Sequence, residues 1–386
     1  MSYKFEAGKD LIIQEVVDKL REKMSGEQGS FCAEFVRQFY GTVALEDLGE
    51  WDIDDLYGAA INFWALIQQR APRETKIRIY NPDFERHGWQ TTHTVVEVIT
   101  EDMPFLVDSL RMTINRLGLV SHLVIHMGGF SVRRDKQHHV TEVLPRGSEK
   151  AKGLSIEAPI FIEIDRQTDP AILEELHRSI ERVLEDNRAV VEDWPFMREK
   201  VRDAIEELSE ASEIIDANEV DEAKEFLRWI EDDHFTFLGI RDYDLVHKGN
   251  ETILQPIAPT GLGILRAQMS KSNARSISAM TPEARELTLS NRALVMFKTT
   301  TEATVHRAAY PDYIGVKRFN KQGQVVGERR IIGLYTSAAY NTNPKHIPFL
   351  RHKVALIMKN SMLNPRGHAG KVLLNIIETL PRDDLI

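Results

Sequence analysis

Between Thr94 and Gly118 the hydrophobic period of this chain switches abruptly, and that switch restricts it to folds in which helices lie against sheets. TVVEVIT, residues 94–100, is a β-branched strand pattern. Asp102 follows where an N-cap belongs, and Pro104 stands in the first turn, where a missing N–H is harmless. Met103, Val107, Leu110, Ile114 and Leu117 then recur at steps of four, three, four and three, and Gly118 ends the helix they mark. Neither element can bury its apolar side alone, so each needs the other.

The same reasoning divides the rest of the chain. Residues 1–72 read as helices carrying Leu11, Ile12, Val16 and Leu20, then Phe31, Phe35, Val36 and Phe39 behind a Ser30 cap. A third stripe of Leu56, Ala60, Phe63, Trp64 and Ile67 follows. Such a small unit needs a neighbour, and its aromatic stripe reads as core. Over 76–190, Ile77–Tyr80, Val120–Phe130 and Pro159–Asp165 are further strands, with Arg133–Gly153 expected as a hairpin turn or mobile loop. A helix opening at Asp169-Pro170 carries Leu173, Leu176, Ile180 and Val183. The order strand, helix, strand, strand, helix predicts an α+β sandwich (βαββα) with helices on one face of a largely antiparallel sheet.

Residues 194–231 return to helix as a connector, through Val201, Ile205 and Leu208, a polar break near Asp216–Asn218, and Val220, Ala223, Leu227 and Ile230. A second α+β unit is expected over 232–340. It has a strand at His234–Leu245, irregular or short helical segments over 260–290 with Thr281-Pro282 as cap and first turn, and strands at Ala293–Thr299, Asp312–Phe319 and Gln324–Tyr335. The last two form a hairpin across Asn320–Gly323. Two strands, short helices and a three-stranded meander is the order of a PAS-like fold. Helices with Phe349, Leu350, Val354 and Ile357, then Val372, Leu374 and Ile377, occupy 344–386.

Composition removes several functions. The 49 basic and 59 acidic residues give a net charge of −10, which argues against nucleic acid as a partner. No apolar run approaches the roughly 18–20 residues that cross a bilayer, so no membrane partner is expected. The charged N-terminus does not read as a signal peptide. The single cysteine, Cys32, excludes an internal disulfide and any multi-cysteine metal site, and fits a reducing, cytoplasmic compartment. No GxSxG, HExxH or EF-hand pattern occurs. Gly261-Leu262-Gly263 begins a dinucleotide fingerprint, but Arg266 replaces its third glycine. Gly370-Lys371 fails as a P-loop because Pro365 and Val372 occupy required positions.

His122 and His126 share one face of the predicted strand, yet no third metal ligand stands at a recognisable spacing, so they read as structural. His138-His139 reads as solvated, and capping accounts for the acids of Asp232-Asp233-His234. Lys317-Arg318 and Arg329-Arg330 read as alternating exposed charges across the hairpin. No catalytic, metal-binding or cofactor-binding residue is expected on this chain.

Glu101–Leu110 (EDMPFLVDSL) resembles the D-x-P-G-L-L start of ACT domains. The resemblance implies an amino-acid effector site at the strand-to-helix loop, made of Asp102, Met103, Pro104, Phe105 and Asp108 with His126 beside them. Phe105 departs from the motif, standing where a glycine gives the ligand room. Longer strings, GLVSHLVIHMGGFSVRRD, EAKEFLRWIEDDHFTFLGIRDYDL, VHRAAYPDYIGVKRFN and VVGERRIIGLYTSAAY, resemble the N-terminal part of the large bacterial NAD-specific glutamate dehydrogenases. So does the closing GKVLLNIIETLPRDDL, and the resemblance extends over most of residues 80–386.

That resemblance implies a much longer, homo-oligomeric polypeptide, typically a tetramer, whose NAD site and glutamate-deaminating machinery lie C-terminal to this region. ACT-like and PAS-like domains of this segment then serve regulation or assembly. NAD is expected for the full-length enzyme and no cofactor on this segment. The implied partners are further copies of the chain, the catalytic region of the same polypeptide and an amino-acid effector. Stopping after Pro381-Arg382-Asp383-Asp384 suggests a piece of that polypeptide. The alternative is a purely structural interaction module in which Phe105 is plugged core.

Overall fold

The computed structural model describes residues 2–148, 152–211, 215–248, 251–266, 275–276 and 282–380. The chain is α+β and divides into two compact units, Met1–Glu185 and Asp186–Ile386. The first begins with helices α1 (Ser2–Lys23), α2 (Gly26–Gly41), α3 (Leu45–Leu48) and α4 (Ile53–Ile67). There follow β1 (Lys76–Tyr80), α5 (Phe84–His87), β2 (Thr94–Glu101), α6 (Leu106–Arg116), β3 (Ser121–His126), β4 (Phe130–Arg134), β5 (Val140–Val143) and β6 (Ser155–Ile164). Helix α7 (Pro170–Ala211) continues into the second unit.

The strands form one antiparallel sheet in the order β1-β2-β6-β4-β5, with β3 also paired to β6. On one face Val96, Val98, Ile160, Ile162 and Ile164 pack with Leu106, Leu110 and Ile114 of α6 and Leu176 and Ile180 of α7. On the other, Val95, Ile99 and Phe161 pack with Val16, Leu20, Phe35, Phe39, Phe63 and Trp64 of the N-terminal helices. Helices therefore cover both faces, where the sequence reading placed them on one. The cause is visible in β2 and β6, whose apolar residues fall on both parities, as in any strand buried on two sides. The aromatic stripe is core as expected; Phe39 meets Phe161 edge-on at 5.9 Å between ring centroids.

Several boundaries differ from expectation. Val120–Phe130 is two strands, separated by Met127-Gly128-Gly129 with Gly129 at φ 73°. The polar stretch after it holds the β4–β5 hairpin. Ser30 lies inside α2, its hydroxyl donating to the Gly26 carbonyl at 3.3 Å, rather than capping it. Helix α7 runs through Pro195 without the expected break. Buried Val190, Met197, Val201, Ala204 and Leu208 anchor it on both sides of the proline, enough packing to offset the roughly 3 kcal/mol a mid-helix proline costs.

The second unit contains α8 (Ala217–Trp229), β7 (Phe235–Lys248), β8 (Glu251–Pro256), β9 (Leu262–Gly263), β10 (Arg275–Ser276), α9 (Pro282–Leu289), β11 (Leu294–Lys298), β12 (Asp312–Phe319) and β13 (Val325–Tyr335). Helices α10 (Ser337–Asn341), α11 (Leu350–Asn360) and α12 (His368–Thr379) follow. The antiparallel sheet has the order β10-β8-β7-β13-β12-β11, with β9 on β7. The polar break before α8 is its cap: the Asp216 carboxylate accepts from Asn218 and Glu219 N–H. The β12–β13 turn closes because Asn320 Oδ1 accepts from Gln322 and Gln324 N–H and Gly323 takes φ 75°. Thr281, the expected cap of α9, lies outside the described residues. No helix among the described residues is long and apolar enough to cross a membrane.

Candidate functional site

Strand β2 delivers the chain to the loop that opens α6. Asp102 is not the cap of that helix. Its backbone N–H donates to the Ile156 carbonyl, and its carboxylate accepts from Gly129 N–H at 2.9 Å, tying the loop to the turn after β3. The cap position belongs to Phe105, at φ 72° and ψ 0°. That left-handed conformation is the one glycine adopts without strain, and here a half-buried phenylalanine ring carries it. Met103 is half-buried and Pro104 exposed; Asp108 is exposed in the first turn, where a carboxylate suits the helix dipole.

His126 reaches the same loop from β3. Its ring lies against Gly128, where a β-carbon would stand 3.4 Å from Cε1, and its Nε2 is buried without a partner among the described residues. Burial pushes the imidazole pKa down; the Asp102 carboxylate pulls the other way and the Arg146 guanidinium adds to the lowering. The structure thus brings Asp102, Phe105 and His126 to one loop. No hydrogen bond joins Asp108 to them among the described residues.

His122 and His126 do not share a face. A bulge between Ser121 and Leu123 resets the alternation, since Ser121 pairs with Ile164 and Leu123 with Glu163. His122 stacks on His93, with ring centroids 4.4 Å apart, and meets Asp165 Oδ1 at 2.7 Å. His93 lies 3.3 Å from Glu163, whose carboxyl burial pushes upward. The His122 contact and Val120 N–H hold Asp165 below its ordinary range. No group of three or more His, Cys, Asp or Glu among the described residues is arranged to hold a metal.

Other clusters were invisible to motif reading, because their members are distant in sequence and no short spacing signals them. Glu97 meets Arg78 Nε at 2.6 Å and the Tyr80 hydroxyl at 3.0 Å. Glu157 takes two bonds from Arg134 at 2.7 Å each and one from Ser155 at 2.7 Å, with Arg70 3.0 Å away. Arg134 also donates to the Ile67 and Gln68 carbonyls, satisfying the open end of α4.

The supposed exposed stripe of the second unit is buried. Lys317, Arg329 and Glu328 are each 3% exposed or less. Lys317 pairs with Glu328 at 3.0 Å, Glu328 also accepts from the Tyr313 hydroxyl, and Arg329 pairs with Asp242 at 2.7 Å. Arg330 lies over the Tyr243 ring at 4.0 Å. Alternation was the right expectation; exposure was not, because the sheet is covered on both faces by its own unit.

Remaining sequence features are structural. Gly261 and Gly263 lie in close-packed backbone: β9 pairs with β7, and a β-carbon on Gly263 would strike the Leu238 carbonyl. Gly370 lies in α12 against the Asn364 carbonyl. His234 stacks on Trp229 at 4.5 Å and contacts its carbonyl at 2.9 Å. Cys32 is buried, which pushes its thiol up to about 12 and leaves it unreactive.

Comparison with known proteins bears on this geometry. Residues 35–180 match the family described as glutamate dehydrogenase, ACT1 domain, and residues 347–386 match glutamate dehydrogenase, helical motif 1. The chain is 39% identical over 98% of its length to an NAD-specific glutamate dehydrogenase of Halomonas elongata, of which it covers 23%. It is 37% identical over 91% of its length to one of Pseudomonas aeruginosa, of which it covers 22%. A third, of Mycobacterium tuberculosis, is 25% identical over 83% of the chain and 18% of that relative. The chain thus spans less than a quarter of the curated relatives it matches.

Proposed function

The chain belongs to the NAD-specific glutamate dehydrogenase family, as an N-terminal part of its polypeptide, and on that premise we propose that it is a regulatory and assembly segment without catalytic residues of its own. The whole polypeptide, in this reading, converts L-glutamate, water and NAD to 2-oxoglutarate, ammonia and NADH. Its catalytic region and further copies of the chain are the partners. The first unit is the ACT-like module. The second is read as PAS-like, and the support is its topology: the β7–β8 hairpin is followed by short elements and a meander whose last strand returns to pair with β7.

The observation that carries the regulatory reading is Phe105 at φ 72°, between the end of β2 and the start of α6. The N–H groups of Leu106, Val107 and Asp108 open α6 and have no intrahelical acceptor, so they can receive a carboxylate. Asp102, exposed and fixed by Gly129, suits an ammonium group. An α-amino acid carries both. Regulation follows only if it binds two arrangements of the protein with different affinity. Calorimetric titration with a panel of amino acids tests this: saturable binding supports it, and silence at millimolar concentration leaves the assembly role alone.

One observation favours the purely structural reading. Leu356, Met362, Val372 and Ile376 of the C-terminal helical region are exposed, an apolar surface suited to docking. Light scattering across a concentration series tests self-association directly.

A further inference from the structure

The second unit holds a cleft of about 480 Å³ outside both regions matched by the glutamate dehydrogenase families. That volume lies within the range of small-molecule sites. Its lining includes the cations Lys298 and Arg307, the tyrosines Tyr310 and Tyr340, and Thr299 and Leu334, with no carboxylate among the described lining residues.

Arg307 is presented by the segment between β11 and β12, which has no regular structure yet is firmly tied. Thr299 N–H donates to the Pro311 carbonyl at 2.8 Å, and Ala303 N–H to the Ala309 carbonyl at 2.9 Å. The Thr304 hydroxyl donates to Asp186 at 2.9 Å, and Val305 is fully buried. Held this way, His306 takes φ 82°, a conformation its side chain disfavours, so the ties and not local preference set the loop. Arg307 emerges beside it. Its Nη2 donates to the Tyr335 carbonyl at 3.2 Å and the Tyr340 hydroxyl at 3.1 Å, and its guanidinium lies 5.6 Å from the Tyr340 ring centroid. Its Nε and Nη1 have no hydrogen-bond partner among the described residues. Lys298 is steadied by Asp312 at 2.8 Å. Tyr310, 52% exposed, offers an open aromatic face at the rim.

We propose that this cleft binds a small anion carrying a flat ring, the chemistry of a nucleoside monophosphate. Arg307 receives the anionic group through the free edge of its guanidinium, whose fork matches phosphate, with Lys298 adding charge. Tyr310 stacks on the ring, which supplies apolar contact without base-specific hydrogen bonds. Because Arg307 is already positioned by Tyr335 and Tyr340, little ordering remains for the ligand to drive.

Isothermal titration calorimetry of the 386-residue chain at low salt, with adenosine monophosphate, adenosine and inorganic phosphate as separate probes, tests the proposal. The monophosphate should saturate at sub-millimolar concentration, with adenosine and phosphate each weaker by about tenfold or more. Arg307→Gln and Tyr310→Ala should each weaken monophosphate binding by about tenfold, with circular dichroism and melting of Tyr310→Ala unchanged. Tyr310 is exposed, so that variant reports on binding even where Arg307→Gln unsettles the loop. Absence of monophosphate binding at millimolar concentration, phosphate binding as tightly as the monophosphate, or parental affinity in both variants would each overturn the assignment.

Discussion

Glu97 and Glu157 are both fully buried beside arginine, yet their protons behave oppositely. Burial dominates at Glu97, and the Arg78 guanidinium, itself 32% exposed, does not compensate, so the carboxyl is pushed up to about 7. Burial also raises Glu157, but the buried guanidiniums of Arg134 and Arg70 outweigh it and hold that carboxyl below its ordinary range. Glu97 therefore stays protonated in the folded state after the unfolded chain, near 4.5, has ionised. Its contribution to stability is fully present below that lower value and is lost as pH rises through about 7. The loss amounts to about 3 kcal/mol. Urea unfolding across this range should show the decline in the parent and not in Glu97→Gln; equal slopes would assign the proton elsewhere. Glu157→Gln should instead destabilise by about 3 kcal/mol or more at neutral pH, because Arg70 and Arg134 remain buried without their carboxylate. An unchanged urea midpoint would contradict that. None of these pairings has a sequence signature, since Arg70, Arg134 and Glu157 come together only when α4, β4 and β6 meet.

Among the elements, α4 and the loop into α6 show propensity yielding to packing. Gly58 lies inside α4, where alanine would favour the helix by about 1 kcal/mol. A β-carbon there would stand 2.9 Å from Cγ of Trp89, which is fully buried and cannot retreat. Overpacking of this kind costs about 1–3 kcal/mol, so Gly58→Ala should lower the melting temperature despite its better propensity. At the entrance to α6, Phe105→Gly removes left-handed strain worth about 1 kcal/mol and loses packing of similar size. Its melting temperature should stay close to the parent's while amino-acid affinity rises, as calorimetry can measure. If affinity stays equal while the fold persists, the ring is not what limits the pocket. The strand and helix flanking this loop were legible as a period change. The conformation of Phe105 was not, because a phenylalanine at positive φ contradicts its own preference and is enforced by the elements on either side.

At the scale of the molecule, seven of the fourteen large exposed hydrophobic residues described fall between Leu356 and Leu380. Val354, Met358 and Ile377 pack between α11 and α12, which leaves Leu356 and Ile376 on the outside. With the proposed assembly role, light scattering should show mass rising with concentration, and the double change Leu356→Glu with Ile376→Glu should suppress the rise. Identical curves would remove this face from self-association. The α+β class, most strands and helices, the aromatic core and the family resemblance were all readable from the chain alone. Hydrophobic period and helix-ending residues are local properties, and long strings specify a family before any contact forms. Tertiary structure alone decided that helices cover both faces of the first sheet, that His122 and His126 part at a bulge, and that Lys317 and Arg329 are buried in ion pairs. Burial and pairing depend on which distant segments are brought together, and a side chain's charge by itself does not record the partner it will meet.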